Sequence, residues 1–364
     1  MIEKLLGAAA GEEVTIIPDL VLVTNGPSYK ASELAERVAL RDRMLVMYDH
    51  NVPSGSPEDA RVFGVILRFA KKFELKFKQA KGVALDYVKD EILAPGQVMI
   101  AGTRHASVMG AKGALGIGIS NVELARVIEN GKYHAIVPQT VTVKVTGALE
   151  GAGNIDAALT FLAKAGDIAG KVVEFSGQVD EHLKEVLCYM ACDTGAYTAL
   201  WGDAETADME LDLSEVKPML RLPVAAAEDQ IKAGFAEASI LDGVKIEAGQ
   251  IGGVNGGSIE DLRKAAAMIE GKKLKYGFRL TVCPSTSEDY LKAIEEGIIT
   301  KFVDFNAQIS AAGDHSVVPQ GAGAAGPKEK LITTGLYTYA GCMGCADAEV
   351  YTASVETIIA AALA

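Results

Sequence analysis

Short apolar stretches rich in β-branched residues alternate along this chain with longer stretches in which apolar residues recur every three or four positions. The short stretches at residues 14–23, 43–47 and 97–101 predict buried strands. The periodic stretches at residues 31–43 and 121–130 predict amphipathic helices. A chain in which strand and helix alternate typically folds into a mainly parallel sheet covered by helices. The pattern therefore predicts an α/β fold.

The alternation continues through predicted helices at residues 155–165 and 179–197, and it is clearest after residue 240. Strands are predicted there at residues 243–251, 277–282, 302–309 and 331–334. If the sheet is parallel, the loops after these strands open on one edge, which is where open α/β sheets bind ligands. We therefore expect the chemistry of the last region to lie in its strand-end loops.

Length, charge and cysteine content narrow the class of protein. At 364 residues, 49% of them hydrophobic, the chain is too long for one ordinary core, and we predict three α/β domains at residues 1–136, 137–239 and 240–364. The formal net charge of −13 argues against nucleic acid or an anionic membrane as a partner, because both need clustered Lys and Arg. Five cysteines without an export signal are typical of reduced thiols, so we expect a cytoplasmic protein.

Two segments of the first third carry the candidate chemistry: the hexapeptide Tyr48-Asp49-His50-Asn51-Val52-Pro53, and a Gly-rich run at residues 101–118. A carboxylate beside a histidine can orient the imidazole, which then donates a proton to a hydroxyl that leaves as water. The alternative is that the histidine at the end of a strand is satisfied by local backbone groups.

These segments resemble two boxes of the aconitase and isopropylmalate isomerase superfamily, Asp-His-Asn-Val-Pro and Asp-Ser-His-Thr followed by Gly-Ala-x-Gly-Ala. Further similarities occur in the same order at residues 173–177, 187–191, 251–262 and 348–354. The resemblance implies an aconitase-like large subunit of three domains with parallel, helix-covered sheets. It also implies that the fourth, swivelling domain is absent here and is supplied as a separate small subunit. A hydro-lyase or isomerase activity on a small hydroxy acid, with a [4Fe-4S] cluster, would follow.

The resemblance also suggests catalytic residues. Asp49 and His50 match the family's proton-donating pair, and His105 matches its second histidine. Glu174 occupies the position of a family active-site glutamate and is a candidate to bind the metal-bound water; the alternative is a surface residue of a strand. We expect His105 and Glu174 to shape the site of the water molecule.

Three further residues are predicted to bind substrate. Arg104 stands beside His105 and could clamp a carboxylate or phosphate through two hydrogen bonds, or it could point to solvent. Asn255 lies in a Gly-rich loop that precedes a predicted helix, which is a plausible but weakly specific cradle for an anion. Ser285 lies in the next strand-end loop.

The chain departs from the family where cofactor and substrate are expected to bind. Val254 stands where the resemblance places the first cluster thiolate, and residues 317–324 replace the family's Cys-x-x-Cys loop. The family's substrate-binding arginines align with Tyr337 and Cys342. We therefore expect a substrate that differs from isopropylmalate and citrate.

Three cysteines elsewhere in the last region offer another set of metal ligands. Cys283 and the pair Cys342 and Cys345 follow the second and fourth predicted strands, so that their sulfurs could converge on one cavity. Thiolates suit an iron–sulfur cluster. A zinc site, a redox dithiol and buried cysteines that merely fill gaps are the alternatives.

Two functions remain open from the sequence. The first is a hydro-lyase or isomerase with a relocated metal or iron–sulfur centre, in which His50 donates the proton and a small swivel-domain partner supplies the base. The second is a catalytically inactive member of the family that binds a ligand or assists assembly. A member that became inactive would be expected to lose the family's thiolates and arginines together, as this chain has.

Overall fold

The computed structural model describes residues 1–363 as strands and helices that alternate along the chain. The strands are β1 (Glu13–Ile16), β2 (Leu20–Thr24), β3 (Met44–Tyr48), β4 (Lys76–Gln79), β5 (Val98–Ala101), β6 (Leu115–Gly118), β7 (Tyr133–Ile136), β8 (Thr140–Thr146), β9 (Val172–Ser176), β10 (Thr198–Trp201), β11 (Met209–Asp212), β12 (Met219–Arg221), β13 (Phe235–Glu237), β14 (Ala248–Gly252), β15 (Arg279–Cys283), β16 (Gln308–Ile309), β17 (Lys330–Thr333) and β18 (Glu349–Thr352).

The α-helices are α1 (Ile2–Leu6), α2 (Tyr29–Leu34), α3 (Pro57–Phe73), α4 (Ala84–Glu91), α5 (Asn121–Asn130), α6 (Asn154–Lys164), α7 (Glu181–Ala191), α8 (Ile259–Met268), α9 (Ser287–Glu295), α10 (Ile298–Asp304) and α11 (Val355–Ala362). Short 3₁₀ helices lie at Arg41–Arg43, Arg104–Lys112, Cys192–Thr194, Leu213–Glu215, Ala227–Lys232 and Ala238–Leu241. No helix within residues 1–363 combines the length and the apolar composition that a membrane crossing requires.

Three larger sheets carry most of the strands. The first has the order β4-β3-β2-β5-β6, and all of its strand pairs are parallel. The middle sheet has the order β10-β9-β8-β11 and is also parallel. The last sheet has the order β13-β12-β18-β17-β14-β15-β16, in which only the pairings of β12 are antiparallel. The mainly parallel α/β architecture predicted from the sequence is therefore confirmed.

The hydrophobic core explains why the first and middle sheets pack closely. One cluster of buried side chains runs from Leu22 and Leu45 of the first sheet to Val143 and Phe175 of the middle sheet without interruption. A separate cluster, which includes Ile251 and Phe302, fills the helix-covered side of the last sheet.

Several predicted elements differ from the structure in their extent. Pro18 divides the predicted strand at residues 14–23 into β1 and β2, because proline cannot donate a hydrogen bond to the ladder. The helix predicted at residues 31–43 ends at Leu34. The helix predicted at residues 179–197 is α7, which Asp180 caps and which ends at Ala191.

The third predicted strand of the last sheet is wrong over most of its length. Residues 302–309 contribute only the two-residue strand β16, whereas α10 occupies the preceding positions. Gly297 adopts a φ of 71° and lets the chain turn into α10. Ile298 and Phe302 are then buried four residues apart on one helix face. That spacing is helical, and the sequence interpretation missed it.

Candidate active site

The two histidines singled out from the sequence line one cavity of about 480 Å³, here named the histidine cavity. His50 follows β3, and His105 follows β5, and both strands neighbour β2 in the first sheet. Their carboxyl ends meet at one edge because the sheet is parallel. The loop after β16 of the last sheet closes the cavity with Asp314, Ser316 and Val317. The site thus lies between the first and the last sheet.

Asn25 and Gly26, in the loop after β2, hold the backbone and ring of His50. The Asn25 side-chain oxygen accepts the amide N–H groups of Asp49 and His50 at 2.9 and 3.0 Å, and its amide nitrogen donates to the His50 carbonyl at 2.8 Å. A Cβ at Gly26 would lie 2.2 Å from Nε2 of His50, so only glycine leaves room for the ring.

Two carboxylates hold the imidazole of His50 from opposite sides. Its Nδ1 lies 2.6 Å from Asp49 Oδ1, and its Nε2 lies 3.2 Å from Asp314 Oδ2. Burial lowers the pKa of His50, but the charges of Asp49 and Asp314 outweigh burial and raise that pKa to about 9. His50 is therefore an imidazolium at neutral pH and carries a proton at Nε2, inside the histidine cavity.

Both carboxylates are themselves fixed. Asp49 is buried, and its second oxygen accepts the amide N–H of Ala84, the first residue of α4, at 3.0 Å. The other oxygen of Asp314 accepts from the amide and the hydroxyl of Ser316. The Asp314 amide donates to the Asp49 carbonyl at 2.8 Å, which ties the two loops together. These contacts leave little freedom to the Asp49–His50–Asp314 group.

A second buried charge group holds His105. Its Nε2 lies 3.0 Å from Asp193 Oδ1, and because a carboxylate only accepts, Nε2 carries the hydrogen. Burial lowers the pKa of His105, and Asp193 only partly offsets this effect. His105 is therefore neutral at pH 7, and its Nδ1 is left as an acceptor.

Asp193 also binds two arginines. Arg104 Nε donates to Asp193 at 2.9 Å, and the fully buried Arg221 donates to it at 2.6 Å. Burial opposes ionisation of Asp193, but Arg221 and His105 outweigh it and hold its pKa well below the usual range. The guanidinium of Arg104, predicted to clamp substrate, is thus engaged by Asp193.

The remaining wall of the histidine cavity is largely apolar and aromatic. Val254, Val317 and Leu336 line it, and the Tyr337 ring packs edge-on against His105 at 5.8 Å between centroids. Val254 and Val317 belong to the segments in which the resemblance places cluster thiolates. Tyr337 stands where the resemblance places a substrate-binding arginine. The wall therefore presents hydrocarbon and phenol groups where metal ligands and cations were expected.

The three cysteines predicted to bind metal have other partners. The buried Cys283 thiol donates to the carbonyls of Ala311 and Gly313 at 3.1 and 3.4 Å, and Cys342 donates to the Tyr337 carbonyl at 3.4 Å. Burial raises the pKa of Cys283 and of Cys342 to about 12. Cys345 is half-buried in the same loop as Cys342.

These contacts do not fit a metal site. Within residues 1–363, no group of three His, Cys, Asp or Glu side chains is arranged to hold a metal ion. The cysteines also do not line the histidine cavity. Buried thiols of raised pKa that donate to carbonyls behave as packed side chains and not as thiolate ligands. The relocated cluster therefore finds no support in the arrangement of its proposed ligands.

The other predicted site residues lie apart from the two histidines. Glu174 does not line the histidine cavity, and its carboxylate accepts from the amino group of Met1 at 2.7 Å. Asn255 and Ser285 line a neighbouring charged cavity of about 680 Å³, which shares Tyr189 with the histidine cavity. The Ser285 hydroxyl donates to the Gly253 carbonyl at 2.8 Å.

Comparison with known proteins agrees with the order of the motifs and with the fold. Residues 30–208 and 203–364 match the family model described as Aconitase family (aconitate hydratase). The chain belongs to the aconitase family. The resemblance inferred from the sequence is thereby confirmed.

Relatives of this aconitase-family chain include large subunits of two named enzymes. The methanogen homoaconitase large subunit of Methanocaldococcus jannaschii is 24% identical over 400 residues, which cover 97% of this chain and 95% of that protein. The 3-isopropylmalate dehydratase large subunit 2 of Methanopyrus kandleri is 28% identical over 378 residues, which cover 97% and 92% respectively. The structure of Thermococcus kodakaraensis aconitase X in its holo-form matches with a TM-score of 0.59 at 13% identity, over 96% of this chain and 90% of that one. This last match supports the fold.

Two residues of this aconitase-family site escaped the sequence interpretation. Asp314 lies in the loop after β16, where the tripeptide Asp314-His315-Ser316 is the local signal that could have indicated chemistry. Asp193 comes two residues after the end of α7, and nothing local in the sequence marks it as the partner of His105. Both act across long sequence separations.

Proposed function

We propose that this chain is the large subunit of an aconitase-type hydro-lyase that removes water from, or adds water to, a small hydroxy acid. One observation carries the proposal: the His50 imidazolium, held by Asp49 and Asp314, lines a cavity large enough for a small acid. The relatives named as dehydratase and homoaconitase large subunits support the reaction class.

The proposed chemistry places the departing hydroxyl beside Nε2 of His50. The contact of Nε2 with Asp314 is long at 3.2 Å, so a substrate oxygen can share that hydrogen. As the carbon–oxygen bond breaks, the oxygen takes the Nε2 proton and leaves as water. His50 becomes neutral, and Asp49 keeps the remaining proton on Nδ1. The pair of electrons from the neighbouring carbon–hydrogen bond forms the double bond.

That second step needs a base for the proton on carbon. We assign the base to a small swivel-domain partner, because the named relatives are large subunits and the family resemblance divides the activity in this way. His105, which Asp193 fixes through Nε2, lines the same cavity, and we propose that its Nδ1 accepts a hydrogen bond from water or a substrate hydroxyl. No step is assigned to an iron–sulfur cluster, since the side chains present do not form its ligand set.

The second candidate function is a catalytically inactive family member that binds a ligand or assists assembly. The observation that favours it is specific: Val254 and Tyr337 replace a thiolate and a cation of the family pattern, and both line the histidine cavity. In this alternative the Asp49–His50–Asp314 group is a structural remnant that stabilises the contact between the first and last sheets.

A turnover assay separates the two functions. The full chain, co-expressed with a small swivel-domain subunit of the same organism, is given a panel of hydroxy acids, and the unsaturated acid is followed by its ultraviolet absorbance. Replacement His50→Asn is expected to lower kcat at least about a hundredfold, the usual effect of removing a general acid. The control His134→Asn, on an exposed strand, should leave turnover unchanged. Absence of product from every acid, or full activity of His50→Asn, would favour the inactive member.

A further inference from the structure

The walls of the histidine cavity contain no lysine or arginine among the described residues. The charged side chains that line it are four carboxylates, Asp49, Glu58, Asp59 and Asp314, and the single imidazolium of His50. Glu58 is compensated outside the cavity by Arg61, which binds it at 2.7 and 2.8 Å. The negative charges of the other three carboxylates outnumber the single positive charge of His50. The cavity is therefore acidic in its own right.

The two arginines nearest to His105 do not offset this acidity. Arg104 and Arg221 both bind Asp193, and neither lines the cavity. Arg221 is fully buried, and its two terminal nitrogens also donate to the carbonyls of Leu336 and Gln230. The Tyr337 ring lies about 6.0 Å from the Arg104 guanidinium. A substrate carboxylate beside Tyr337 would therefore face phenol and hydrocarbon in place of an arginine, and His50 is the one cation in the wall.

The uncharged part of the wall is suited to hydrocarbon. Val62, Val83, Val254, Val317 and Leu336 supply aliphatic surface, and Tyr337 supplies aromatic surface. An apolar body gains from such a wall. Each carboxylate beyond the one that His50 can pair must give up its hydration without a charge-assisted hydrogen bond in return.

We propose that the histidine cavity selects a hydroxy compound with an apolar body and at most one carboxylate, and rejects di- and tricarboxylates. This inference takes the type of reaction from the proposed function. The binding preference does not depend on that function. It follows from the charges and the wall of this chain alone. The carboxylate-rich substrates that suit an arginine-lined site would be repelled by the excess of Asp49, Asp59 and Asp314 over His50.

Two acids that differ by one carboxylate test the proposal directly. The affinities of the full chain for 3-hydroxy-4-methylpentanoate and for 2-isopropylmalate are measured by titration calorimetry near neutral pH. We expect the monocarboxylate to bind at least about tenfold more tightly, because burying one carboxylate without a partner typically weakens binding by that factor or more. Equal affinity, tighter binding of isopropylmalate, or no detectable binding of the monocarboxylate would overturn the proposal.

A variant places the missing cation back in the wall. Replacement Tyr337→Arg is expected to reduce or reverse the preference, and Tyr276→Arg, at a fully exposed position, should leave it unchanged. Urea unfolding shows whether each variant is folded, and the preference of the unmodified chain decides the question if Tyr337→Arg is not. Turnover of isopropylmalate with no binding preference for the monocarboxylate would uphold the hydro-lyase and overturn the low-charge substrate.

Discussion

His50 and Asp314 meet at 3.2 Å between Nε2 and Oδ2, although His50 follows a strand of the first sheet and Asp314 follows the edge strand of the last sheet. This contact joins the two units that form the histidine cavity. It also gives the imidazole a second carboxylate in addition to its sequence neighbour Asp49.

The protonation of His50 should depend on Asp314. Replacement Asp314→Asn removes one of the two negative charges that offset burial, and an opposite charge at this distance typically shifts a pKa by about 1 to 3 units. We expect the pKa of His50 to fall from about 9 by at least about one unit. The measurement is an NMR titration of the imidazole resonances.

The matched control for this experiment is Asp304→Asn, which neutralises an exposed carboxylate at the end of α10. It should leave the His50 titration unchanged. An unaltered His50 pKa in Asp314→Asn would show that Asp49 alone sustains the imidazolium.

The free energy of unfolding should decrease as pH rises from about 6.5 to about 9. The pKa values of His50 and His182 are both about 9 in the folded chain, above the ordinary value of 6.5. In each case burial opposes the rise, and the neighbouring carboxylates outweigh burial. A raised folded pKa gives stability that is fully present below the unfolded pKa and is lost as pH passes through the folded one. Each histidine could contribute up to about 3 kcal/mol.

Urea unfolding at several pH values tests this dependence, with His50→Gln and His182→Gln as comparisons. Each variant should lose part of the slope, because each removes one group that takes up a proton on folding. His182 is a useful comparison because its partner Asp261, at 2.9 Å, joins α7 to α8, and neither residue lines the histidine cavity. A wild-type stability that stays constant between pH 6.5 and 9 would contradict both assignments.

The fold and part of the site followed from patterns close together in the sequence. Periodicity and strand-end position placed Asp49 and His50 at the carboxyl end of β3, and His105 after β5, because those signals act within a few residues. Asp314 and Asp193 could not be assigned in this way, because their partners are distant in sequence and the contacts depend on how the sheets pack. The same limit explains why the metal site expected from the cysteines was not found. Their loops follow strands of one sheet, but their side chains do not converge to bind a metal ion.

Removal of the Asp193 carboxylate should destabilise the chain strongly. Asp193 is the charged partner of the fully buried Arg221 and also binds His105 and Arg104. Replacement Asp193→Ala leaves a buried guanidinium without its counter-ion, which typically costs about 3 to 5 kcal/mol. Urea unfolding measures the loss.

The exposed Asp203 serves as the matched control for that experiment, and Asp203→Ala should change the unfolding free energy by less than about 0.5 kcal/mol. If Asp193→Ala were as stable as Asp203→Ala, Arg221 would not depend on this ion pair.

A methyl group at position 26 should displace the His50 ring and thereby weaken its ion pairs. The added Cβ would lie 2.2 Å from Nε2, which no side chain tolerates without movement. Because the ring is held between Asp49 and Asp314 as a cation, Gly26→Ala should destabilise the chain more at pH 6.5 than at about pH 10, where His50 is neutral in both proteins. Urea unfolding at the two pH values measures the difference.

Gly234→Ala is the matched control, since its Cβ would meet only Leu222 at an ordinary 3.4 Å, and it should show no such pH dependence. An equal loss of stability at both pH values in Gly26→Ala would mean that the glycine makes room for the ring without supporting its charge.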